Sequence, residues 1–346
     1  MGLQEAYDRC LPLIEADLRD VILCSSPGLE TYYGMMRYHL GWVDESFKPL
    51  TDHSGKRLRP MLCLLCCEAA GGDPSQALPA ASAVELVHNF SLVHDDIQDG
   101  SPTRRGRRAA WAVWGAPHGI NVGDGLFVLA RLSLNRLERK GVSLPRILSA
   151  TGALDRACLA LCEGQFFDMT FEERVDVDLD HYLWMIQHKT GALLAASAQL
   201  GAIVATDDEE QIELYRRFGE NLGIAFQIQD DVLGAWGDES ATGKSAATDI
   251  RDKKKTFPVV FALGHRENQD AVRELNGLYA QAGPLDEGSI QRALGILDEM
   301  GARQHAEAMA KEYYLRALHD LERTAENGEP QDALRELAAS LMGRQA

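Results

Sequence analysis

Over long stretches of this chain, apolar residues recur at every third or fourth position. Ala77 to Leu92 is one such stretch, with Leu78, Ala81, Val84, Val87 and Leu92 on the repeat; Leu183 to Val204 and Ile212 to Leu233 are others. That period belongs to a helix with one buried face and not to a strand, whose side chains alternate every second residue. Alternating β-branched runs joined by Asn-Gly or Asp-Gly turns do not recur. Pro, which breaks helices, occurs only 12 times in 346 residues, whereas Ala and Leu are abundant. Gly71-Gly72-Asp73-Pro74 and Gly115-Ala116-Pro117 punctuate the helical stretches, and Thr206-Asp207-Asp208-Glu209-Glu210 reads as a helix start. No linker or fixed-period repeat divides the chain. The expectation is an all-α fold, a single domain over residues 1–346 with about ten to fourteen helices of ordinary length. Gly237 to Lys255 is polar and Gly-containing, a long loop of the kind that often carries function.

Hydrophobic residues make up 45% of the chain, enough for a sizeable core, and this excludes disorder for the chain as a whole. The formal charge is −17, a surface that repels nucleic-acid backbones and anionic membranes. No apolar run reaches the length of a membrane span, and the acidic N-terminus (Glu5, Asp8, Glu15) is unlike a signal peptide, so the expected location is the cytoplasm. The seven Cys include Cys63, Cys66 and Cys67 inside an apolar run, where reduced thiols pack as small hydrophobes.

Against this acidic background, charges of opposite sign alternate in blocks. Asp95-Asp96-Ile97-Gln98-Asp99 continues an apolar helical pattern. Residues four apart on a helix project only about 40° from each other, so Asp95 and Asp99 share a face, with Ser91 and His88 on the same stripe. Two carboxylates so close repel unless a cation lies between them, and hard oxygen ligands suit Mg²⁺, which completes its shell with water and phosphate. Arg104-Arg105-Gly106-Arg107-Arg108 follows at once, and Arg pairs with phosphate oxygens bidentately. Gly55-Lys56-Arg57-Leu58-Arg59-Pro60 is a second basic group and His188-Lys189-Thr190 a third. Downstream, Gln227-Ile228-Gln229-Asp230-Asp231 is followed by Gly243-Lys244 and by Asp249-Ile250-Arg251-Asp252-Lys253-Lys254-Lys255. Acid blocks answered by cations point to Mg²⁺ bridging diphosphates. Gly237-x₅-Gly243-Lys244-Ser245 has one residue too many for a P-loop and no strand before it. No Gly-x-Ser-x-Gly stands out, and no Cys/His nucleophile pair.

These motifs, in this order over roughly residues 50–260, resemble the trans-type isoprenyl diphosphate synthases, or polyprenyl synthetases. The resemblance implies a bundle around a central substrate cavity, a homodimer, and head-to-tail condensation of isopentenyl diphosphate with an allylic diphosphate. It implies about three Mg²⁺ ions, with Asp95 and Asp99 binding two and Asp230 the third. Arg104, Lys189, Lys244 and Lys254 would grip the allylic diphosphate, with Asp231 nearby. Lys56, Arg59, His88 and Arg105 would hold isopentenyl diphosphate, and Thr190 and Gln227 would border the allylic cation.

One position departs from the family pattern. The second motif usually ends in a third Asp, and here Gly234 stands there. The expected consequence is weaker binding of the third ion, with Asp238 available to compensate. For product length, the resemblance assigns the tail pocket to Phe90, Ser91 and Val87. An aromatic five positions before Asp95 with a small residue at four resembles enzymes making geranylgeranyl diphosphate (C20). The helical wheel puts Phe90 about 140° away from Asp95, so that role rests on the resemblance. Three alternatives stand beside this reading: a farnesyl diphosphate synthase, a class I terpene cyclase, and a non-catalytic subunit that binds prenyl diphosphates.

Overall fold

Helices make up nearly all the regular structure, as the three-to-four periodicity dictates. The computed structural model describes residues 2–23, 26–50, 55–174, 176–237, 247–324 and 328–343. Among these are sixteen α-helices and one two-stranded hairpin. The excess over the expected ten to fourteen comes from two pieces, Ala110–Trp114 and Thr248–Arg251, which are too short for a period to register. No helix among the described residues is long and apolar enough to cross a membrane. The chain divides into two units, one of Met1–Arg156, Ala196–Arg216 and Thr324–Leu334, the other of Ala157–Ala195, Arg217–Arg323 and Arg335–Ala346.

In the first unit, α1 (Leu3–Val21), α2 (Glu30–His39) and α3 (Leu58–Ala69) lead to α4 (Pro74–Gln98). The Asp73 side chain caps α4 by accepting from the Ser75 N–H, and Pro74 follows at the first helical position, where its missing N–H costs nothing. α4 is buried on nearly every side, packed against α1, α3 and α6 (Ala116–Asn135), so it reads as apolar almost throughout. Its polar last turn carries Asp95, Asp96 and Asp99. A hairpin of β1 (Thr103–Arg104) and β2 (Arg107–Arg108) follows, then the short α5 (Ala110–Trp114). Cys63, Cys66 and Cys67 lie buried in α3; burial pushes the Cys67 thiol up to about 12, so these are inert packing thiols.

α7 (Leu144–Glu173), α9 (Ala192–Ala205), α10 (Glu209–Trp236) and α16 (Glu329–Met342) contribute to both units. The second unit also holds α8 (Leu179–Ile186), α11 (Thr248–Arg251), α12 (Phe257–Leu263), α13 (Gln269–Tyr279), α14 (Glu287–Glu299) and α15 (Ala302–Glu322). One of its apolar clusters gathers Phe171, Tyr182, Ile186, Ile228, Val232 and Phe257 under the polar residues discussed below.

The stretch Leu183 to Val204 is not one uniform helix. Gln187–Gly191 forms a π-helical turn between α8 and α9. A Cβ on Gly164 of α7 would lie 2.3 Å from the Lys189 nitrogen, so the bare glycine lets the widened turn press against α7. Such turns collect at functional sites, and this one carries Lys189 and Thr190.

Candidate active site

In the first unit, three carboxylates crowd the C-terminal end of α4, where the helix's own carbonyls already concentrate negative charge. That arrangement is unfavourable unless cations answer it, and one does. Asp96 is buried and accepts from Arg104 Nε at 2.7 Å. Burial raises its pKa while Arg104 opposes the rise. Asp96 thus turns inward as an anchor for Arg104, whereas Asp95 is half-buried and Asp99 exposed.

Arg105 and Gly106, both at positive φ, make the tight turn of the hairpin. The Arg105 guanidinium lies against the Gly55 backbone, 3.1 Å from where a Cβ there would stand. Arg107 is structural: it stacks on Tyr38 at 4.1 Å and donates to the Val43 carbonyl. Of the basic run at 56–59, Lys56 is exposed. Arg57 adopts a left-handed backbone (φ 47°) that turns it inward, 2% exposed, onto Glu15 at 2.6 Å and Glu85 at 2.7 Å. Burial works against its charge, yet the two carboxylates leave its pKa raised.

The remaining basic groups have no such relief. Burial, only partly offset by Glu85 and worsened by Arg105, brings Arg59 down to about 10, and its buried Nε has no hydrogen-bond partner. Burial and four neighbouring arginines (Arg105, Arg104, Arg57, Arg107) hold His39 down to about 3. His88 is likewise held well below its usual value by burial, then Arg59, Arg105 and Arg104. His39, Arg104 and Arg105 line a small cavity of about 40 Å³. Here positive charge exceeds what the protein neutralises, which is the signature of an anion site.

In the second unit, a cavity of about 190 Å³ is lined by Asp230, Asp231 and Asp249, by Lys189, Lys254 and Lys255, and by Tyr182, Thr190, Gln227 and Thr256. Asp231 is buried at its floor. It accepts from the Tyr182 hydroxyl, from the Phe257 N–H at 2.8 Å and from Gln227 Nε2 at 3.0 Å. Thr190 in turn donates to Gln227 Oε1 at 2.8 Å. Burial pushes Asp231 up to about 7 although these three donors pull it down, and the Asp249 charge adds to the rise. Lys189 pairs with Asp168, and Lys254 Nζ lies 4.0 Å from Asp249 Oδ1.

Within each unit, then, the structure gathers several of the expected residues. Asp95, Arg104, Arg105, Arg59 and His88 belong to the first group, and Lys189, Thr190, Gln227, Asp230, Asp231 and Lys254 line the second. Lys244 and Asp238 lie outside the described residues. Val87 and Phe90 are buried in α4, and the Ser91 hydroxyl donates to the His88 carbonyl at 2.9 Å. Phe90 packs on Phe127 and His94, with ring centroids 5.2 and 5.4 Å apart. The sequence reading assigned nothing to Tyr182, Asp168 or His39.

Comparison with known proteins agrees with this geometry. The family model described as Polyprenyl synthetase matches residues 41–297. A (2E,6E)-farnesyl diphosphate synthase of Mycobacterium tuberculosis is 38% identical over 320 residues, covering 90% of this chain and 86% of its own. A geranylgeranyl diphosphate synthase of the same organism is 40% identical over 278 residues, covering 80% and 78%. The crystal structure of a polyprenyl synthetase from Streptomyces coelicolor superimposes with a TM-score of 0.87 at 33% identity over 98% of both chains. The chain belongs to the polyprenyl synthetase family.

Proposed function

We propose that this protein is a short-chain trans-isoprenyl diphosphate synthase, one synthase domain that extends an allylic diphosphate head-to-tail with isopentenyl diphosphate. The observation that carries the reading is the cation pair Arg59 and Arg105, with Arg104 beside them and His39 and His88 held uncharged by their field, in a chain of charge −17. A terpene cyclase takes one diphosphate and has no use for a second anion site apart from its acid motifs. Arg59, His88 and Arg105, with Lys56, hold the diphosphate of isopentenyl diphosphate. Lys189 and Lys254, with Lys244 and Arg104, hold the allylic diphosphate.

The acid groups fit magnesium that arrives with its substrate. Among the described residues no three acidic, His or Cys side chains form a cage by themselves, and Mg²⁺ readily takes its remaining ligands from phosphate and water. Asp95, Asp99 and Asp230 are its ligands for about three ions. Bound there, Mg²⁺ would neutralise charge on the departing diphosphate.

The chain's own residues do the rest. As the allylic C–O bond breaks and the diphosphate leaves with the electron pair, Lys189 and Lys254 stabilise the growing charge. The Thr190 and Gln227 oxygens border the allylic carbon that becomes positive. The isopentenyl double bond supplies the electrons of the new C–C bond, and the proton lost from the adjacent carbon goes to the diphosphate. Asp231 keeps Gln227 oriented throughout. For chain length we assign geranylgeranyl diphosphate, with Phe90 and Phe127 as an aromatic wall and Ser91 and Val87 beside it; the runner-up is the fifteen-carbon farnesyl product. A homodimer is supported by the exposed Ile120, Val128 and Leu132 of α6, and a cytoplasmic location by the sequence reading alone.

The test is a product assay with Mg²⁺, labelled isopentenyl diphosphate and, in separate reactions, dimethylallyl, geranyl or farnesyl diphosphate. Twenty-carbon alcohol after dephosphorylation supports the full reading, and a fifteen-carbon end point overturns the chain-length assignment. No condensation with any primer favours a non-catalytic subunit.

A further inference from the structure

The hairpin of β1 and β2 encloses the small cavity of the first unit against the C-terminal end of α2. His39 lines it from one side, and Arg104, Arg105, Arg107 and Arg108 from the other. Lys56, Arg59 and His88, assigned above to isopentenyl diphosphate, are not on its lining, and among the described residues neither is any carboxylate. The acids that answer these arginines stand outside it, Asp96 on Arg104 at 2.7 Å and Glu45 at 3.6 Å from Arg108. Arg107 gives its donors to the Tyr38 and Val43 carbonyls, which carry no net charge. Four guanidinium charges therefore meet two carboxylates, and the surplus faces inward. The walls are built in place: the Tyr38 hydroxyl donates to the Arg108 carbonyl at 2.8 Å, and Arg107 stacks on the Tyr38 ring. His39 supplies an independent sign of a guest, because its Nε2 is buried and has no hydrogen-bond partner. Burial and the arginine field keep that ring uncharged, so it can offer an N–H to an anion without adding to the surplus. At about 40 Å³ the cavity holds roughly three water-sized guests, too little room for a diphosphate.

We infer that this cavity is a binding site for one small inorganic anion of about the size of chloride, held by His39 Nε2–H and by the guanidinium groups of Arg104 and Arg105, and separate from the isopentenyl diphosphate site. The bound ion supplies the counter-charge that lets four arginines stand on one short hairpin. It thereby keeps Arg104 and Arg105 in place when no substrate is there to do so. The site does not depend on the synthase reading.

The experiment locates the ion and weighs it. Crystals of the full chain are soaked in sodium bromide and the bromine anomalous signal is mapped. Thermal unfolding is then followed in sodium chloride and in sodium gluconate of equal ionic strength, gluconate being too large to enter. A bromide peak between His39 Nε2 and Arg105 is expected. An ion bound with a Kd of about 10 mM should, at about 0.2 M chloride, raise the Tm by about 2 °C over gluconate. His39→Leu, similar in volume but without a donor, should lose both the peak and the chloride-specific rise, whereas His39→Gln, which keeps an N–H, should retain them. If His39→Leu does not fold, the wild-type map and melting curves decide alone. A cavity that holds only water, equal melting in the two salts, or a His39→Leu protein that still binds bromide overturns the inference. So does a bromide that saturating isopentenyl diphosphate displaces, because the cavity is then part of the diphosphate site. A wild type that binds bromide but no isopentenyl diphosphate supports the anion site and sinks the synthase reading, so the two failures are distinct.

Discussion

Replacing Arg57 by Met tests how the basic motif at the start of α3 is held. Arg57 is 2% exposed and its guanidinium bridges Glu15 and Glu85, the latter itself buried on α4. Met keeps much of the apolar stem and adopts the same left-handed backbone at similar cost, so the perturbation is chiefly electrostatic. It strands the Glu85 carboxylate, which then keeps the Asn89 amide as a donor at 2.8 Å. Breaking a buried pair by removing one partner costs about 3–5 kcal/mol, a large part of the roughly 5–15 kcal/mol that holds a domain folded. Glu85→Gln alone costs less, about 1–2 kcal/mol, because Arg57 keeps Glu15 and the new amide oxygen still accepts from Asn89. The double variant Arg57→Met/Glu85→Gln no longer buries an uncompensated charge and should be about 2 kcal/mol more stable than Arg57→Met. Urea unfolding of the four proteins at pH 8 gives the cycle. A loss below about 1 kcal/mol for Arg57→Met, or a double variant no better than it, would show that Glu85 has another counter-charge and refute the argument. Because Arg59 follows two residues later, Arg57→Met should also raise the KM for isopentenyl diphosphate more than it lowers kcat.

The other predictions use the two sites separately. Tyr182→Phe deletes one of three donors to Asp231; the cost should be about 1.5–3 kcal/mol at pH 9, where that carboxyl is ionised, and nearer 1 kcal/mol at pH 6, below its value of about 7, when compared by urea unfolding. His39 has a folded value of about 3, below that of the unfolded chain, so its stabilising share is complete above about pH 6.5 and is lost as the pH falls toward 3. Wild type should therefore lose stability more steeply than His39→Gln between pH 6.5 and 4.5, by about 1 kcal/mol per pH unit after solvent screening, and parallel curves would sink the idea. Phe90→Ala removes the ring packed on Phe127 and should lengthen the principal product by at least one isoprene unit on chromatography, at a stability cost of about 3–5 kcal/mol; an unchanged product separates Phe90 from the tail pocket.

What could be read ahead of the structure follows a physical divide. The all-α class was legible because burial imposes its period on every helix long enough to show one, and it failed to register only for pieces such as Thr248–Arg251. The chemistry was legible where it depends on residue type at fixed spacing along one helix, as with Asp95 and Asp99. It was illegible wherever a backbone choice decides which neighbour points where. Lys56 and Arg57 are interchangeable in a string of letters, yet a left-handed φ at Arg57 makes one an exposed cation and the other a buried strut. Asp96 reads like Asp95 until Arg104 claims it. The helical wheel turns Phe90 away from the Asp face, and in the fold its ring packs on Phe127 of α6. The π turn at Gln187–Gly191 depends on a missing Cβ at Gly164, which lies more than twenty positions earlier in the chain. Gly234 makes the same point from the other direction: along α10 the pattern lacks an acid, yet in space a Cβ there would meet the Asp249 carboxylate, fifteen positions later in the chain. Substitutions in such motifs are therefore best judged by asking which side chain now occupies the volume that was given up.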